Sequence, residues 1–320
     1  MPNTLNDISV VIPAFNEEES IPELVKQLTR VLSKYKFTYE LLFIDDGSSD
    51  STTAVIRGLE ERDSHIKLIA FRRNYGKSAA LSAGFGYAAG RYIITMDADL
   101  QDDPEEIPKL VNKLEEGWDL VSGWKKKRYD PFSKRILSKI YNFFTSVFSG
   151  IRLHDFNCGL KAYRIEVAKS LNVYGELHRY LPVIAFRNGF RVTEMAVQHH
   201  ERKYGVSKFG AARLTRGAFD LLTITFLTKY KKRPLHLFGL WGGISFFLGF
   251  IVLFLLAFQK IVYDAHLSDR PLLFLGVLLV IVGIQFFSIG LLGEMITESR
   301  RDSAPYLIKE TVGLEDQPEA

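Results

Sequence analysis

The sequence contains only one cysteine, Cys158, among 320 residues. A single thiol cannot form a disulfide within the chain, so a fold held together by disulfides is excluded and a reducing compartment fits. The chain also opens without the basic region, short apolar run and small-residue cleavage site that mark a secretory signal peptide. We therefore expect the amino-terminal part to remain in the cytoplasm.

Two common types of binding site are missing as well. Gly84, Gly86 and Ala89 match the pattern G-x-G-x-x-A, but they fall inside a predicted helix, whereas a dinucleotide fingerprint needs a strand-to-helix turn. The His-His-Glu sequence at 199–201 has no further ligand at a suitable spacing, and adjacent side chains of an extended chain point apart. We predict neither a dinucleotide site nor a zinc site.

Long apolar runs, by contrast, are present. The runs at 235–258 and 272–293 carry no charge, and each is long enough to cross a hydrocarbon core of roughly 30 Å. Basic residues precede the first run at 229–233 and follow the second at 300–301, which places both chain ends in the cytoplasm and the 259–271 linker outside. We predict a multi-pass protein of the inner (cytoplasmic) membrane.

Before these runs, apolar strands alternate with helical patterns. This alternation with short connections predicts an α/β fold with a mostly parallel sheet and helices on both faces. The strands are predicted at 8–13, 40–44, 66–71, 91–96, 119–122 and 157–164.

Carboxylates follow one of these strands at alternate positions. Successive side chains of an extended chain point to opposite faces, so Asp97 and Asp99 project to the same side. Two hard oxygen donors at one sheet edge suit Mg²⁺ or Mn²⁺ shared with phosphate oxygens. The alternative is an aspartate-rich surface turn.

Asp45 and Asp46 end another strand, and Lys77 stands at a predicted helix start. Carboxylates can accept from a ribose hydroxyl or a base N–H, and a lysine can bind a diphosphate. For a single loop of this kind, a tight turn with a helix cap is the simpler interpretation. Several such loops at one sheet edge favour a nucleotide site.

Two segments interleave basic and apolar residues, one at 125–150 and one at 209–234. Basic amphipathic segments lie on anionic membrane surfaces, while a solvated helix packed on the core is the alternative. Because two membrane spans follow, we interpret both segments as interfacial. In the loop between them, Arg202 and Lys208 are predicted to face phosphate.

Five short motifs in this order resemble a known family. They are V-I-P-A-F-N-E-E at 11–18, D-D-G-S at 45–48, N-Y-G-K at 74–77, D-A-D-L-Q at 97–101 and Y-G-V-S-K at 204–208. Together they resemble the family 2 inverting glycosyltransferases of GT-A fold. The two-helix end narrows the resemblance to polyisoprenyl-phosphate glycosyltransferases, which include dolichyl-phosphate mannose synthase and bacterial undecaprenyl-phosphate enzymes.

The resemblance implies a cytoplasmic GT-A catalytic domain at 1–208, a juxtamembrane amphipathic helix at 209–234, a two-helix transmembrane region at 235–297 and a cytoplasmic tail at 298–320. The implied reaction moves one sugar from a nucleotide diphosphate sugar to a polyprenyl phosphate at the cytoplasmic membrane face, with Mg²⁺ or Mn²⁺ as cofactor. The implied partners are the donor, the lipid acceptor and the bilayer. A homo-oligomer is compatible with this view, and no nucleic acid is expected.

The motifs and the resemblance together give the candidate site residues. The nucleotide-binding candidates are Pro13, Phe15, Glu17, Asp45, Asp46, Lys77 and Asp97. The candidates around the metal are Asp97, Asp99 and Gln101, and the catalytic candidates are Asp97, Asp99, Arg202 and Asp155. The candidates for the acceptor phosphate are Lys134, Arg135, Arg202, Ser207 and Lys208.

One position departs from the family pattern. Some bacterial relatives carry an aspartate directly after the glycine that matches Gly159, and here that position is Leu160. Asp155 is the nearby aspartate that a catalytic role would fall to. A phosphate monoester with a second pKa of about 6 is already largely dianionic at pH 7, so we expect no dedicated general base.

Two other functions remain open from the sequence. A processive polysaccharide synthase of the same superfamily would show a Q-x-x-R-W motif and more spans, and neither is found. A catalytically silent membrane scaffold that binds nucleotide is the other alternative, and the retained Asp97, Asp99 and Lys208 argue against it.

Overall fold

The structure is a computed structural model that describes residues 6–126, 142–143, 145–147, 149–171, 173–175, 177–201, 234–263, 271–299 and 308–312. The described chain forms two compact units. The first contains a mixed sheet with its helices, and the second contains two long helices.

The first unit begins with alternating strands and helices and ends in more varied connections. Its elements are β1 (Ile8–Ala14), α1 (Ile21–Lys34), β2 (Tyr39–Asp45), α2 (Thr52–Glu60), β3 (Ile66–Phe71), α3 (Lys77–Tyr87), β4 (Tyr92–Thr95), a 3₁₀ turn (Pro104–Glu106), α4 (Ile107–Glu115), β5 (Leu120–Lys125), β6 (Lys161–Arg164), α5 (Ile165–Ser170), a second 3₁₀ turn (Leu177–Tyr180), α6 (Leu181–Arg187), β7 (Val192–Val197) and β8 (Ile308–Val312). The second unit contains α7 (Pro234–Tyr263) and α8 (Pro271–Ser299).

The sheet has the strand order β7-β5-β6-β4-β1-β2-β3-β8. Strands β1 to β4 run parallel in this sheet, and β5 runs parallel to β7, while β6 and β8 are antiparallel to their neighbours. The carboxyl ends of β1, β2 and β4 therefore meet at one edge, where ligands bind in open α/β sheets. The predicted α/β fold with a mostly parallel sheet is confirmed.

The central strands are buried along their whole length, because helices cover both faces of the sheet. Every residue of β2 and β4 is buried, as the continuous apolar runs of these strands require. Helix α1 turns a stripe of six apolar residues, among them Leu24, Leu28 and Leu32, towards the core. This packing fixes the positions of the loops that follow β1, β2 and β4.

Strand β1 continues through Pro13, where the sequence predicted its end. The Val11 carbonyl accepts from Met96 N, and the Ala14 carbonyl accepts from Asp46 N, so successive residues face β4 and β2 in turn. Pro13 therefore faces the β4 side, beyond the last residue of that strand. Its missing N–H costs no hydrogen bond of the sheet there.

The strand predicted at 157–164 is shorter than expected, and only Lys161–Arg164 forms β6. The Asp155 carboxylate accepts a hydrogen bond from Asn157 N at 3.1 Å, which favours a turn over an extended chain. Strand β8 was not anticipated at all, since the sequence after 298 was interpreted only as a tail. It pairs antiparallel with β3 at the edge of the sheet.

The second unit contains both predicted membrane helices, and each extends beyond its apolar run. Helix α7 continues through Gln259 and Lys260, which the sequence placed in the linker. The segments Leu237–Val262 and Pro271–Gly293 are long and apolar enough to cross a membrane.

The two helices approach closely through glycines seven residues apart. A Cβ at Gly242 would lie 2.8 Å from the Gly283 carbonyl oxygen, and one at Gly249 would lie 2.7 Å from the Gly276 carbonyl oxygen. Small residues at such positions let membrane helices pack backbone to backbone.

Candidate active site

The loops after β1 and β2 are joined by hydrogen bonds between their polar residues. Asn16 N donates to Ser48 Oγ at 2.9 Å, and the Asn16 side chain accepts from Ser49 N at 2.8 Å. Glu17 N donates to Thr52 Oγ1 at 2.8 Å, and the Glu17 carboxylate accepts from Ser20 Oγ at 3.0 Å. These contacts hold the first two loops of the sheet edge as one surface.

The two aspartates that end β2 bind the polypeptide itself. Asp45 Oδ1 accepts from Ser48 N at 3.0 Å, and its other oxygen accepts from the Thr53 hydroxyl. Asp46 accepts from Tyr75 N at 2.7 Å and from Gly76 N at 2.9 Å, which fixes the start of α3. Burial raises the pKa of Asp46 above its ordinary value, and these backbone hydrogen bonds only partly offset that effect.

The carboxylate of Asp97 forms an ion pair with Lys77 at the amino end of α3. Both side chains are about one-third exposed, at 32% for Asp97 and 34% for Lys77. A Cβ on Gly159 would lie 2.6 Å from Asp97 Oδ2, so the bare glycine backbone makes room for this carboxylate. Lys77 and Asp97 were both predicted to belong to the nucleotide site, and in the structure they are in direct contact.

Asp99 and Gln101 continue the loop after β4. Asp99 is buried, and its Oδ1 accepts from Gln101 N at 3.2 Å. Leu100 between them has a φ of 60°, which turns the chain sharply. This turn keeps both side chains close to the carboxyl end of β4.

The donor set of this loop fits a divalent cation that is shared with a substrate. The described residues contain no group of three His, Cys, Asp or Glu side chains arranged around a metal position. Mg²⁺ binds through one or two carboxylates together with substrate phosphates and water, and it does not need a cage made of protein alone. Asp97 and Asp99 can supply two hard oxygens for such a site.

A small cavity of about 20 Å³ lies beside the Lys77–Asp97 pair. Pro13, Lys161 and His178 are among the residues that line it. Lys161 is buried and donates a hydrogen bond to the Cys158 carbonyl, and burial lowers its pKa. One lysine in an apolar strand gives no local signal of a site, so Lys161 was not predicted from the sequence.

Asp155 is fully buried and does not line this cavity. Its Oδ1 accepts from Asn157 N at 3.1 Å, and its backbone carbonyl lies 3.5 Å from the Ser122 hydroxyl. These contacts describe a residue that shapes the turn before β6.

A buried charged cluster next to the loop after β4 was likewise not predicted from the sequence. Lys125 Nζ lies 3.4 Å from Asp102 Oδ1, and His199 Nδ1 lies 3.8 Å from the same oxygen. Burial opposes the charge on Asp102, but the attraction of Lys125 and His199 outweighs it and holds the pKa of this carboxyl far below its usual range. Lys125 was grouped with the basic surface segment at 125–150, yet its side chain is only 17% exposed.

Of the remaining candidate residues, one lies in the described part of the chain and five do not. Phe15 is half-buried in the loop after β1. Five predicted residues lie outside the described part of the chain: Lys134, Arg135, Arg202, Ser207 and Lys208.

The described residues within 142–150 show an inverted pattern of burial. Those at 142–143, 145–147 and 149 are helical. Phe143 and Val147, one turn apart, are 64% and 61% exposed. Asn142, Thr145 and Ser149 are buried. This part of the segment therefore presents an apolar face away from its own unit.

Comparison with known proteins places this geometry in a family. The family model described as Glycosyl transferase family 2 matches residues 9–171. Dodecaprenyl-phosphate galacturonate synthase of Rhizobium johnstonii is 38% identical over 322 residues, which cover 98% of this chain and 95% of the relative. Undecaprenyl-phosphate 4-deoxy-4-formamido-L-arabinose transferase of Salmonella choleraesuis is 37% identical over 319 residues, which cover 98% of this chain and 96% of the relative.

Solved structures are similar to this chain in their fold. Glucosyl-3-phosphoglycerate synthase from Mycobacterium tuberculosis, in complex with Mn²⁺ and uridine-diphosphate-glucose, has a TM-score of 0.52 and 21% identity, covering 70% of this chain and 78% of that chain. The complex of the same enzyme with Mn²⁺, uridine-diphosphate and phosphoglyceric acid has a TM-score of 0.54 and 19% identity, covering 69% and 78%. The chain therefore belongs to glycosyl transferase family 2, and its sheet-containing unit has the GT-A fold.

Proposed function

We propose that this protein transfers one sugar from a nucleotide diphosphate sugar to a polyprenyl phosphate of the undecaprenyl type. The observation that carries the proposal is the extent of the similarity to two enzymes whose names state sugar transfer on polyprenyl phosphates. Each alignment covers 98% of this chain, so it includes the loops of the sheet edge and both apolar helices. A likeness confined to the sugar-donor half would not indicate a lipid acceptor.

The donor binds at the carboxyl edge of β1, β2 and β4 in this proposal. Asp97, Asp99 and Gln101 hold a divalent cation, and Lys77 contributes positive charge beside the diphosphate. When bound, Mg²⁺ or Mn²⁺ stabilises the negative charge that develops on the departing nucleoside diphosphate. Solved GT-A structures that contain Mn²⁺ with a uridine nucleotide support this assignment.

The acceptor approaches from the membrane side through the segment at 125–150 and the loop at 202–208. Lys134, Arg135, Arg202, Ser207 and Lys208 bind the lipid phosphate in this proposal. The exposed Phe143 and Val147 support contact of this segment with the hydrocarbon boundary, because amphipathic helices bury such faces in the interface.

The proposed reaction needs no general base, because the nucleophile is a phosphate oxygen. The protein supplies position and positive charge, which hold two phosphates close together against their repulsion. The burial of Asp155 and its role in the turn support this view.

The transfer rate should rise with pH through an apparent pKa of about 6, that of the lipid phosphate. Asp155→Asn should retain substantial turnover, and a thousandfold loss with intact folding would identify Asp155 as a base.

We place the sheet-containing unit and both ends of the chain on the cytoplasmic side. Basic residues at 229–233 and 300–301 flank the two spans. The pairing of β8 with β3 supports the same arrangement, since the chain re-enters its first unit after two apolar helices. Two crossings return a chain to the side from which it started.

The direct test is a transfer assay with purified protein in detergent, undecaprenyl phosphate and a panel of radiolabelled nucleotide sugars. The expected product is a lipid with one sugar that is extractable into organic solvent, formed from one donor of the panel. Incorporation of label only into a polymer would support a processive synthase instead. Donor binding without transfer to any lipid would support a silent scaffold.

A change at Asp99 tests the proposed cation site. Asp99→Asn removes one hard oxygen donor, and we expect turnover to fall by at least about 10²-fold while the protein stays folded in the membrane. Chelation should abolish wild-type activity, and added Mg²⁺ or Mn²⁺ should restore it. The control is Asp63→Asn, at an aspartate paired with His65 at the amino end of β3. Near-normal activity of Asp99→Asn would remove this residue from the site.

A further inference from the structure

The residue directly after Gln101 carries a buried carboxylate that the reaction described above does not use. The side chain of Asp102 is only 1% exposed, and neither of its oxygens has a hydrogen bond among the described residues. Its surroundings are nevertheless polar, because the Lys125 ammonium group and the His199 ring both approach its Oδ1. The His199 Nδ1 atom likewise has no hydrogen-bond partner in the described chain.

These three residues come from three separate parts of the fold, and we call them the Asp102 cluster. Asp102 belongs to the loop after β4, Lys125 is the last residue of β5, and His199 follows β7 by two residues. Removing one partner from a buried ion pair leaves an uncompensated charge, which is strongly destabilising. The cluster therefore stabilises the arrangement in which the three chain segments lie together.

Backbone contacts connect the same two loops. Asp102 and His199 form an antiparallel bridge, and His200 N donates to the Gln101 carbonyl at 2.8 Å. The Gln101 side-chain amide lies 3.4 Å from the His200 carbonyl, and His200 Nε2 lies 3.2 Å from Asp103 Oδ2. The loop after β4 and the chain that follows β7 are thus paired residue by residue.

The chain that leaves this bridge leads directly to the proposed phosphate-binding residues. Arg202 follows His199 by three residues, so the two Cα atoms lie at most about 11 Å apart even in a fully extended chain. The register between Gln101 and His200 therefore limits where Arg202 can lie relative to Asp99. A change of register would move the two charged groups that surround the reacting phosphates.

We propose that the Asp102 cluster is a positioning device for the transfer reaction. Asp102, Lys125 and His199 bind neither substrate nor cation; they fix the register between the loop that holds the donor diphosphate and the segment that holds the acceptor phosphate. This inference rests on the proposed function for its effect on catalysis, whereas the pairing of the two segments can be measured without any turnover. Misplacement of reacting groups by about 1 Å can cost 10²-fold in rate.

Hydrogen–deuterium exchange of the intact protein in detergent tests the pairing. Lys125→Met leaves the Asp102 carboxylate without its cation, and we expect faster exchange in peptides covering 99–103 and 198–208. The double variant Asp102→Asn with Lys125→Met removes both charges and should restore protection towards the wild-type level in both peptides. Unchanged exchange in Lys125→Met, or a double variant that exchanges as fast as Lys125→Met, would overturn the proposal.

Turnover of the same variants tests the catalytic consequence. We expect Lys125→Met to lower kcat by about 10²-fold with little change in the donor KM, and the double variant to recover most of that loss. An increase in donor KM at constant kcat would instead identify Lys125 as a substrate-binding residue and would overturn the positioning role. Failure of the wild-type protein to transfer sugar would refute the proposed function and leave the exchange result standing.

Two variants of His199 provide a second test of the proposal. If Lys125→Met does not fold, His199→Asn and His199→Phe serve in its place. Asn can present an N–H near the position of Nδ1 and should keep exchange and kcat near wild type, while Phe cannot. Equal behaviour of the two would contradict the proposal. Lys113→Met is the matched control, because it removes the same charge from an ion pair with Glu116 at the end of α4 that does not involve the cluster, and this change should preserve kcat.

Discussion

A side chain at position 159 would collide with the carboxylate of Asp97. The backbone of Gly159 is outside the left-handed region, so alanine can adopt its conformation, but the added Cβ would lie within 3.0 Å of three atoms of the Asp97 carboxyl group. We expect Gly159→Ala to displace Asp97 from Lys77 and to lower kcat by about 10²-fold. Steady-state kinetics with the accepted donor would measure this loss.

The control for that change is another glycine with free space around it. No atom lies within 4 Å of a Cβ built on Gly58 in α2. Gly58→Ala should leave kcat unchanged and raise the free energy of unfolding by roughly 0.5–1 kcal/mol, because alanine loses less backbone entropy in a helix. A loss of activity in both variants would show that the Gly159 effect is not specific to the site.

Lys161 should make the stability of the protein depend on pH. Burial lowers its pKa in the folded state, while the unfolded chain keeps a value of about 10.4. Between these two pKa values the unfolded state binds more protons, so stability rises with pH in that interval. Lys161→Met removes the effect, and the Tm of the variant should gain less than that of the wild type as the pH is raised from 7 towards 10. Parallel Tm curves would contradict the assignment.

Single residues were predictable where the chemistry depends on local sequence. Lys77 was predicted at a helix start, and α3 begins there. Asp97 and Asp99 were predicted from the two-residue period of a strand, but β4 ends at Thr95 and both residues lie in the loop that follows it. The Asp102 cluster was not predictable, because its members are far apart in sequence and each resembles a solvated surface charge. Asp45 was expected to bind a nucleotide, and its own oxygens accept from Ser48 and Thr53.

At the scale of elements, the contact between α7 and α8 depends on glycines. A Cβ at Gly283 would lie 2.7 Å from both the Gly242 carbonyl oxygen and Phe246 N, and backbone atoms cannot move aside cheaply. Gly283→Leu should therefore destabilise the helix pair, since overpacking typically costs about 1–3 kcal/mol. The Tm of the detergent-solubilised protein measures this effect. Size-exclusion chromatography should also show the loss of its monodisperse peak.

A second glycine of α7 provides the comparison. No atom lies within 4 Å of a Cβ built on Gly243, so a side chain there would meet open space. Gly243→Leu should keep the Tm of the wild type. Equal destabilisation by both substitutions would mean that glycine acts through helix propensity and not through contact between the helices.

Elements with strong patterns were predicted well. The β-branched strands of the parallel sheet and the apolar helices followed from composition and period alone. Strand β6 was predicted too long, because the turn that Asp155 stabilises cannot be recognised in a run that alternates like a strand. Strand β8 pairs with a partner more than 200 residues earlier in the chain, and no local pattern reports such a partner.

For the whole molecule, the proposed topology can be tested by cysteine labelling. The native Cys158 is buried, so it gives a low background with thiol reagents. Ser268→Cys, between α7 and α8, should react with a membrane-impermeant maleimide in intact cells, while Ser303→Cys, after α8, should react only once the membrane is opened. Labelling of both sites in intact cells would contradict the arrangement with both ends in the cytoplasm.

Strand β8 also has a consequence for how the protein is made. The ribosome releases β1 to β7 first, then the two apolar helices, and only then the strand that covers the edge of β3. An uncovered sheet edge readily pairs with other chains and promotes aggregation. The sheet-containing unit is therefore complete only after the helix pair has been synthesised, so a nascent chain that stalls before that point exposes an open edge to chaperones and proteases.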